Sequence, residues 1–98
     1  MNKIKYINYS VFFKKLASPL RTKIISSLNE SSKNVTQLCK DLNTEQSKIS
    51  HALILLKKCS LVMSERKGKN IVYSLNKKTI IPILKLIDAH CKCCRCTK

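Results

Sequence analysis

The stretch NVTQLCKDLNTEQSKISHALILLKK, residues 34–58, leaves this chain few ways to fold. Asn34 is followed three residues on by Gln37, the spacing of a capping box, in which each side chain satisfies a backbone N–H orphaned at a helix start. The short helix so opened runs through Leu42 and buries Val35, Leu38 and Leu42. Asn43 then stands where the chain must turn tightly, and Asn accepts the left-handed conformation better than other non-glycine residues. Thr44 is the expected cap of a second helix, Glu45 to Cys59. Its Ile49, Ala52, Leu53 and Leu56 recur at the i, i+3, i+4, i+7 spacing of one buried face. A short helix, a tight turn and a second helix with a polar first turn make a helix-turn-helix.

The flanking sequence completes one domain. A first helix is predicted over Ser10 to Ala17, with Val11, Phe12, Phe13 and Leu16 apolar. Ser18-Pro19 reads as an N-cap followed by proline at the first helical position, where the missing N–H costs nothing. Pro19 to Asn29 then carries Leu20, Ile24, Ile25 and Leu28 on one side, and NESSKN at residues 29–34 is a polar loop. After Cys59 the period changes. LVMSER and NIVYSL are short β-type runs, and the KGK between them holds the only glycine in the chain, which predicts a two-stranded hairpin with a basic tip. Thr79 to about Cys91 is a last helix, with Pro82 harmless in its first turn.

Ile80, Ile81, Ile83, Leu84, Leu86 and Ile87 cover most of that helix's circumference, more than one small domain can bury. A homodimer is expected, with Phe12, Phe13, Ile80, Ile83, Leu84 and Ile87 at its two-fold interface; a fully buried core helix is the competing explanation. The fold class is therefore mainly α with a β-hairpin wing: a winged helix-turn-helix of about five helices, dimeric through its terminal helices. Residues 1–9 are expected to form an N-terminal arm, 10–90 the DNA-binding and dimerisation domain, and 91–98 a cysteine-rich tail.

Twenty Lys and Arg against five Asp and Glu give a net charge of +15, spread along the chain, so the natural partner is a polyanion. Double-stranded DNA is favoured over an acidic membrane surface, because no segment sets a basic face against Trp or Phe. No apolar run approaches the roughly 18 residues of a membrane span, no leader cleavage site follows the basic start, and a cytoplasmic protein is expected. No acid–base pair or nucleotide motif supports catalysis, so an enzyme is not expected.

In the recognition helix the candidates for base contact are Gln46, Ser47, Lys48, Ser50 and His51. On the hairpin Arg66, Lys67, Lys69 and Asn70 are placed to track phosphates or the minor groove. A solvated surface histidine competes for His51 and a solvated tip for the hairpin, while Lys57 and Lys58 fit either role. A dimer predicts an inverted-repeat operator with half-sites about 34 Å apart.

Four of the six cysteines fall within six positions of HCKCCRCTK, residues 90–98. In a reducing compartment such a cluster points to metal binding or redox sensing rather than to structural disulfides. Thiolates at Cys91, Cys93, Cys94 and Cys96, favoured by neighbouring Lys92 and Arg95, suit As(III), Sb(III), Cd(II), Zn(II) or Cu(I). Oxidation of adjacent thiols to disulfides or persulfides is the rival chemistry, and an inert basic end is the bland one. Cys39 is either a small apolar packing residue or an added ligand; Cys59 reads as packing.

FFKKLASPLRTKIISSLN, VTQLCKDLNTEQSKISHALILLKKCSLVMSERKGKNIVYSLN and the terminal helix, in that order and spacing, resemble the arsenic-repressor (ArsR/SmtB) family of dimeric winged-helix repressors. The resemblance covers roughly residues 10–90 and implies an apo dimer that blocks an operator until an inducer, often a metal or metalloid, releases it. One site in the family pairs Asp-x-His at the start of the terminal helix with His-x-x-His/Glu near its end. Here the start reads Lys77 and Thr79 and only His90 and Cys93 stand at the end. A second site is CVCDLC before the recognition helix; here NVTQLC keeps Cys39 alone. The tail resembles the vicinal cysteines of arsenic-sensing members. The expected effector is thus a thiophilic ion, As(III) favoured, on three of Cys91, Cys93, Cys94 and Cys96 with Cys39 as a further donor. A thiol-redox or persulfide-sensing repressor of the same fold and an inducer-independent DNA-binding protein are the alternatives.

Overall fold

The computed structural model describes residues 3–94. Seven elements follow in order: α1 (Lys3–Leu16), α2 (Pro19–Glu30), α3 (Val35–Leu42), α4 (Gln46–Lys58), β1 (Val62–Lys67), β2 (Asn70–Leu75) and α5 (Ile80–Cys94).

The turn chemistry of the central motif accounts for its shape. Asn34 Oδ1 accepts the Gln37 N–H at 2.8 Å while Gln37 Oε1 accepts the Asn34 N–H at 2.8 Å, a complete capping box at the start of α3. Asn43 closes α3 in the left-handed conformation, φ 49° and ψ 52°, with its N–H bonded to the Cys39 carbonyl. Thr44 does not cap α4 as predicted. Its hydroxyl donates back to the Leu42 carbonyl at 2.9 Å, so it helps close α3, and Glu45 takes the N-cap position of α4 without a side-chain cap bond.

Helix α1 begins at Lys3, well before the predicted Ser10. Asn8, Tyr9 and Ser10 interrupt the apolar pattern, but none of residues 3–9 is Pro or Gly, so nothing stops the helix. The expected arm is thus helical from Lys3 onward. Helix α2 opens as predicted, with Ser18 extended at the N-cap and Pro19 at its first position, although the Ser18 side chain makes no cap bond.

One core joins α2, α3, α4, the base of the hairpin and the start of α5. Ile24, Leu38, Ile49, Leu53, Leu56, Val62 and Ile80 are its largest fully buried side chains. Phe12 and Leu16 of α1 pack on its edge. Ile80, expected at a dimer interface, lies in the core of its own protomer and has no surface to offer a partner. It enters the core because α5 is fastened there: the Ile80 N–H bonds the Asn76 carbonyl at 3.2 Å, and Asn76 Nδ2 donates to the Ser60 carbonyl at 2.7 Å. Helix α5 runs on to Cys94, past the predicted end near Cys91. Among the described residues no helix is long and apolar enough to cross a membrane.

The hairpin pairs antiparallel from Val62↔Leu75 to Lys67↔Asn70. Gly68 has φ +64° at the first position of the two-residue turn, where a side chain would be strained even though a Cβ would meet nothing within 4 Å. On the other edge of β2, Lys33 exchanges both main-chain bonds with Tyr73, at 3.1 and 2.8 Å. The Lys33 ammonium reaches back to the Ser27 carbonyl (2.7 Å), Ser27 Oγ (2.8 Å) and Asp41 Oδ2 (3.4 Å), and the buried Ser27 hydroxyl in turn donates to Asp41.

Replacing Asn43 by Val should cost about 1–2 kcal/mol in a urea melt, since a β-branched side chain resists positive φ, whereas Asn43→Gly should be near neutral. The Ser27 hydroxyl, and then the Lys33 ammonium, hold the Asp41 carboxyl below its ordinary value of 3.8. A depressed carboxyl stabilises the fold above its unfolded value and loses that contribution as pH falls through the folded one. The stability gap between wild type and Asp41→Asn should therefore be full at neutral pH and shrink in thermal melts taken below 3.8.

Candidate nucleic-acid interface and the cysteine end

Burial of one face of α4 fixes what its other face presents. Ile49, Ala52, Leu53 and Leu56 are all in the core. The helical period then turns Gln46, Ser47, Lys48 and His51 to solvent, with Ser50 half-buried at the edge. Four of the five predicted base-contacting residues are thus exposed, on the first two turns of one helix. All are polar or basic, and each is short or flexible enough to enter a major groove.

Arg66, Lys67, Lys69 and Asn70 are exposed at the hairpin tip. Lys67 and Asn70 are the last paired residues, and Arg66 Nε donates to the Gly68 carbonyl at 3.3 Å, bracing the turn. Glu65 is the one carboxylate on the two strands. Lys57 and Lys58 lie at the other end of α4, which is 13 residues long, so they stand about 18 Å along the axis from Gln46. There they face the carbonyl end of the helix dipole, which a cation stabilises.

The cysteines fall into three places. Cys39 is half-buried on α3 and packs on the core, as does Cys59 at the C-cap of α4; both thiols are unbridged. Cys91 is half-buried on α5. The backbone of α5 includes positions 93 and 94, placing 91 and 94 about one turn apart. The side chains of Cys93 and Cys94, and all of Cys96, lie outside what is described. Among the described residues no three His, Cys, Asp or Glu side chains gather as a metal site.

Large apolar side chains remain exposed on the two terminal helices. On α1 these are Tyr9, Val11 and Phe13, with Phe13 65% exposed; on α5 they are Leu86, 72% exposed, and Ile87. Between these helices and α2 runs a groove of about 250 Å³ walled by Leu16, Ile25, Leu84 and Ile87. Of the predicted interface residues, Phe13 and Ile87 are exposed, Phe12, Ile83 and Leu84 half-buried, and Ile80 buried. Tyr9 was not expected there, because the helix was predicted to begin after it. Leu86 was legible as part of the apolar run on α5.

The family model described as bacterial regulatory protein, arsR family, matches residues 18–64, from the cap of α2 into β1. The chain is 38% identical to the HTH-type transcriptional regulator NmtR of Mycobacterium tuberculosis over 70% of its own length and 58% of that protein's, so it spans under two thirds of this relative. It is 31% identical to the transcriptional repressor PagR of Bacillus anthracis, over 89% of this chain and 91% of PagR. The crystal structure of Rv0081 from M. tuberculosis superposes with a TM-score of 0.81 at 29% identity, covering 91% of this chain and 89% of that one. Order of elements, wing and sequence agree: the chain belongs to the ArsR family of bacterial regulatory proteins and has its winged helix-turn-helix fold.

Proposed function

We propose that this protein is a homodimeric transcriptional repressor that binds duplex DNA and is released by a thiophilic metal or metalloid. The observation that carries the DNA-binding part is the exposed polar start of α4, held by a buried opposite face and followed by a basic hairpin. With a net charge of +15, such a surface is attracted to a polyanion at long range and can read it at short range. PagR carries the name of transcriptional repressor and NmtR that of transcriptional regulator, and we extend that role to this chain.

The exposed apolar residues of α1 and α5 support dimerisation through the terminal helices, with Phe13, Leu86 and Ile87 as its centre. Leu86 and Tyr9 replace Ile80 in that surface. A two-fold pairing would set two copies of α4 against an inverted repeat with half-sites about 34 Å apart.

For the effector, the donor set decides the class. Cys91, Cys93, Cys94 and Cys96 offer soft sulfur with no carboxylate among them, which suits As(III), Sb(III), Cd(II), Zn(II) or Cu(I) and not a hard cation. Cys39 packs on the core from α3, which supports its reading as a packing residue over that of a fifth ligand. Positions 91, 93 and 94 belong to the backbone of α5, so drawing their thiols together acts on a helix of the proposed dimer surface.

Fluorescence anisotropy on duplexes selected from a random library should show affinity falling with salt at a log–log slope of about −0.9 per phosphate contacted. Lys67→Met/Lys69→Met should make that slope shallower by about 1.8, and an unchanged slope would remove the hairpin from the interface. With the reduced dimer bound, As(III) or Cd(II) should weaken binding by about 5- to 150-fold, and Cys93→Ser/Cys94→Ser should abolish that release. Release by oxidant alone would assign the cysteines to redox sensing instead.

A further inference from the structure

We propose that Lys33 is a positioning residue for DNA binding: it clamps the hairpin to the helix-turn-helix and so sets where the wing tip stands relative to α4. The proposal rests on the reading of that hairpin as a DNA-contacting wing. Lys33 lies in the α2–α3 loop, outside both the recognition helix and the hairpin. Its N–H donates to the Tyr73 carbonyl and its carbonyl accepts the Tyr73 N–H on the outer edge of β2, making a one-residue third strand. Its side chain turns the opposite way, onto the Ser27 carbonyl and hydroxyl of α2 and the Asp41 carboxylate of α3. A single residue thus binds the wing, α2 and α3 together, and α3 is joined to α4 through the Asn43 turn.

The place of this clamp on the hairpin matters. The base is already fixed to the core by Val62 and Leu75 and by the Asn76 bonds to residues 60 and 61. Tyr73 is two residues further out, and beyond it residues 65–71 are all exposed. The Lys33 bridge is therefore the outermost backbone tether on β2 before the segment that carries Arg66, Lys67, Lys69 and Asn70. Loosening it lets the tip swing, and a mobile tip must be ordered again on binding.

Lys33 is also unlike the other lysines among the described residues in its contacts. Its ammonium has three N–H donors and three acceptors around it, and its side chain is 15% exposed. It forms the one ion pair among the described residues, in a chain with 20 cations and five acids. A lysine so occupied does not serve as a phosphate contact. Its removal should change affinity without changing the number of counterions released.

The test compares wild type, Lys33→Met and Ser27→Ala by amide hydrogen exchange and by anisotropy on the same selected duplex across a salt series. Lys33→Met should exchange about threefold or more faster over residues 62–75, with α4 unchanged, and bind DNA about three- to tenfold more weakly at an unaltered salt slope. Ser27→Ala removes one acceptor, keeps the charge and should move both readouts the same way by less. The double variant should be no worse than Lys33→Met, because both act through one network. A slope shallower by about 0.9 in Lys33→Met would make Lys33 a phosphate contact and overturn the proposal. So would faster exchange across α4 as well as the hairpin, which would mean general loosening, or hairpin exchange equal to wild type. If wild type binds no duplex, the DNA reading fails, while the exchange data still decide whether the clamp exists.

Discussion

Everything functional in this protein depends on the burial of one face of α4. Ile49, Leu53 and Leu56 have essentially no exposure, and each buried aliphatic side chain contributes about 1.5–3 kcal/mol from the area it removes from water. With that face held against α2 and α3, the 3.6-residue period leaves no choice about the rest: Gln46, Ser47 and His51 must face outward. The same burial decides where the wing starts, since α4 runs through the left-handed Ser60 directly into Val62, itself in the core. Recognition helix and wing are thus two outlets of one packed unit.

Charge organises the outside of that unit. A chain with five carboxylates for 20 cations cannot balance its surface locally, so most lysines stay available to a polyanion. Asp41 is spent differently, on the contact between α3, α2 and the loop before α3. Exposed ion pairs contribute little by themselves. This one gains its effect from the company it keeps: a buried Ser27 hydroxyl on one side and a strand bridge through the same lysine on the other.

What the sequence makes legible is local chemistry. The capping box at Asn34, the left-handed Asn43, proline at the start of α2 and the glycine turn each follow from one or two residues, and each stands in the structure. The misses share a cause, which is that they turn on tertiary contacts or on the lack of a stop signal. Thr44 stands between the carbonyl end of α3 and the N–H end of α4, and its hydroxyl donates to the first instead of accepting from the second. Ile80 looks like its neighbours in the apolar run, and only the fastening of Asn76 to residue 60 marks it for the core. Lys33 is one lysine among many, and the residues it ties together, 27, 41 and 73, have no common spacing to betray it. The exposed face of α4 was legible because periodicity alone fixes it; the apolar surface of the terminal helices was half legible, because apolar character does not say which residues the protomer's own core takes.

The extension of α5 changes how an effector at the cysteines has to act. A flexible tail could fold around an ion without moving anything else. A continuous helix of 15 residues, about 22 Å long, behaves as a lever. Its first residue is fixed in the core at Ile80, and its middle carries the exposed Leu86 and Ile87 proposed for the dimer surface. Three or four thiolates closing on one ion within residues 91–96 ask for a local geometry that a straight helix does not supply, because positions three apart share a side and adjacent ones diverge. On the proposed reading, ligation must therefore unwind or bend the last turn of α5. On that reading, strain of that kind would reach the proposed dimer surface first and the two copies of α4 only through it, so an effector would act on subunit orientation and not on the fold of either α4.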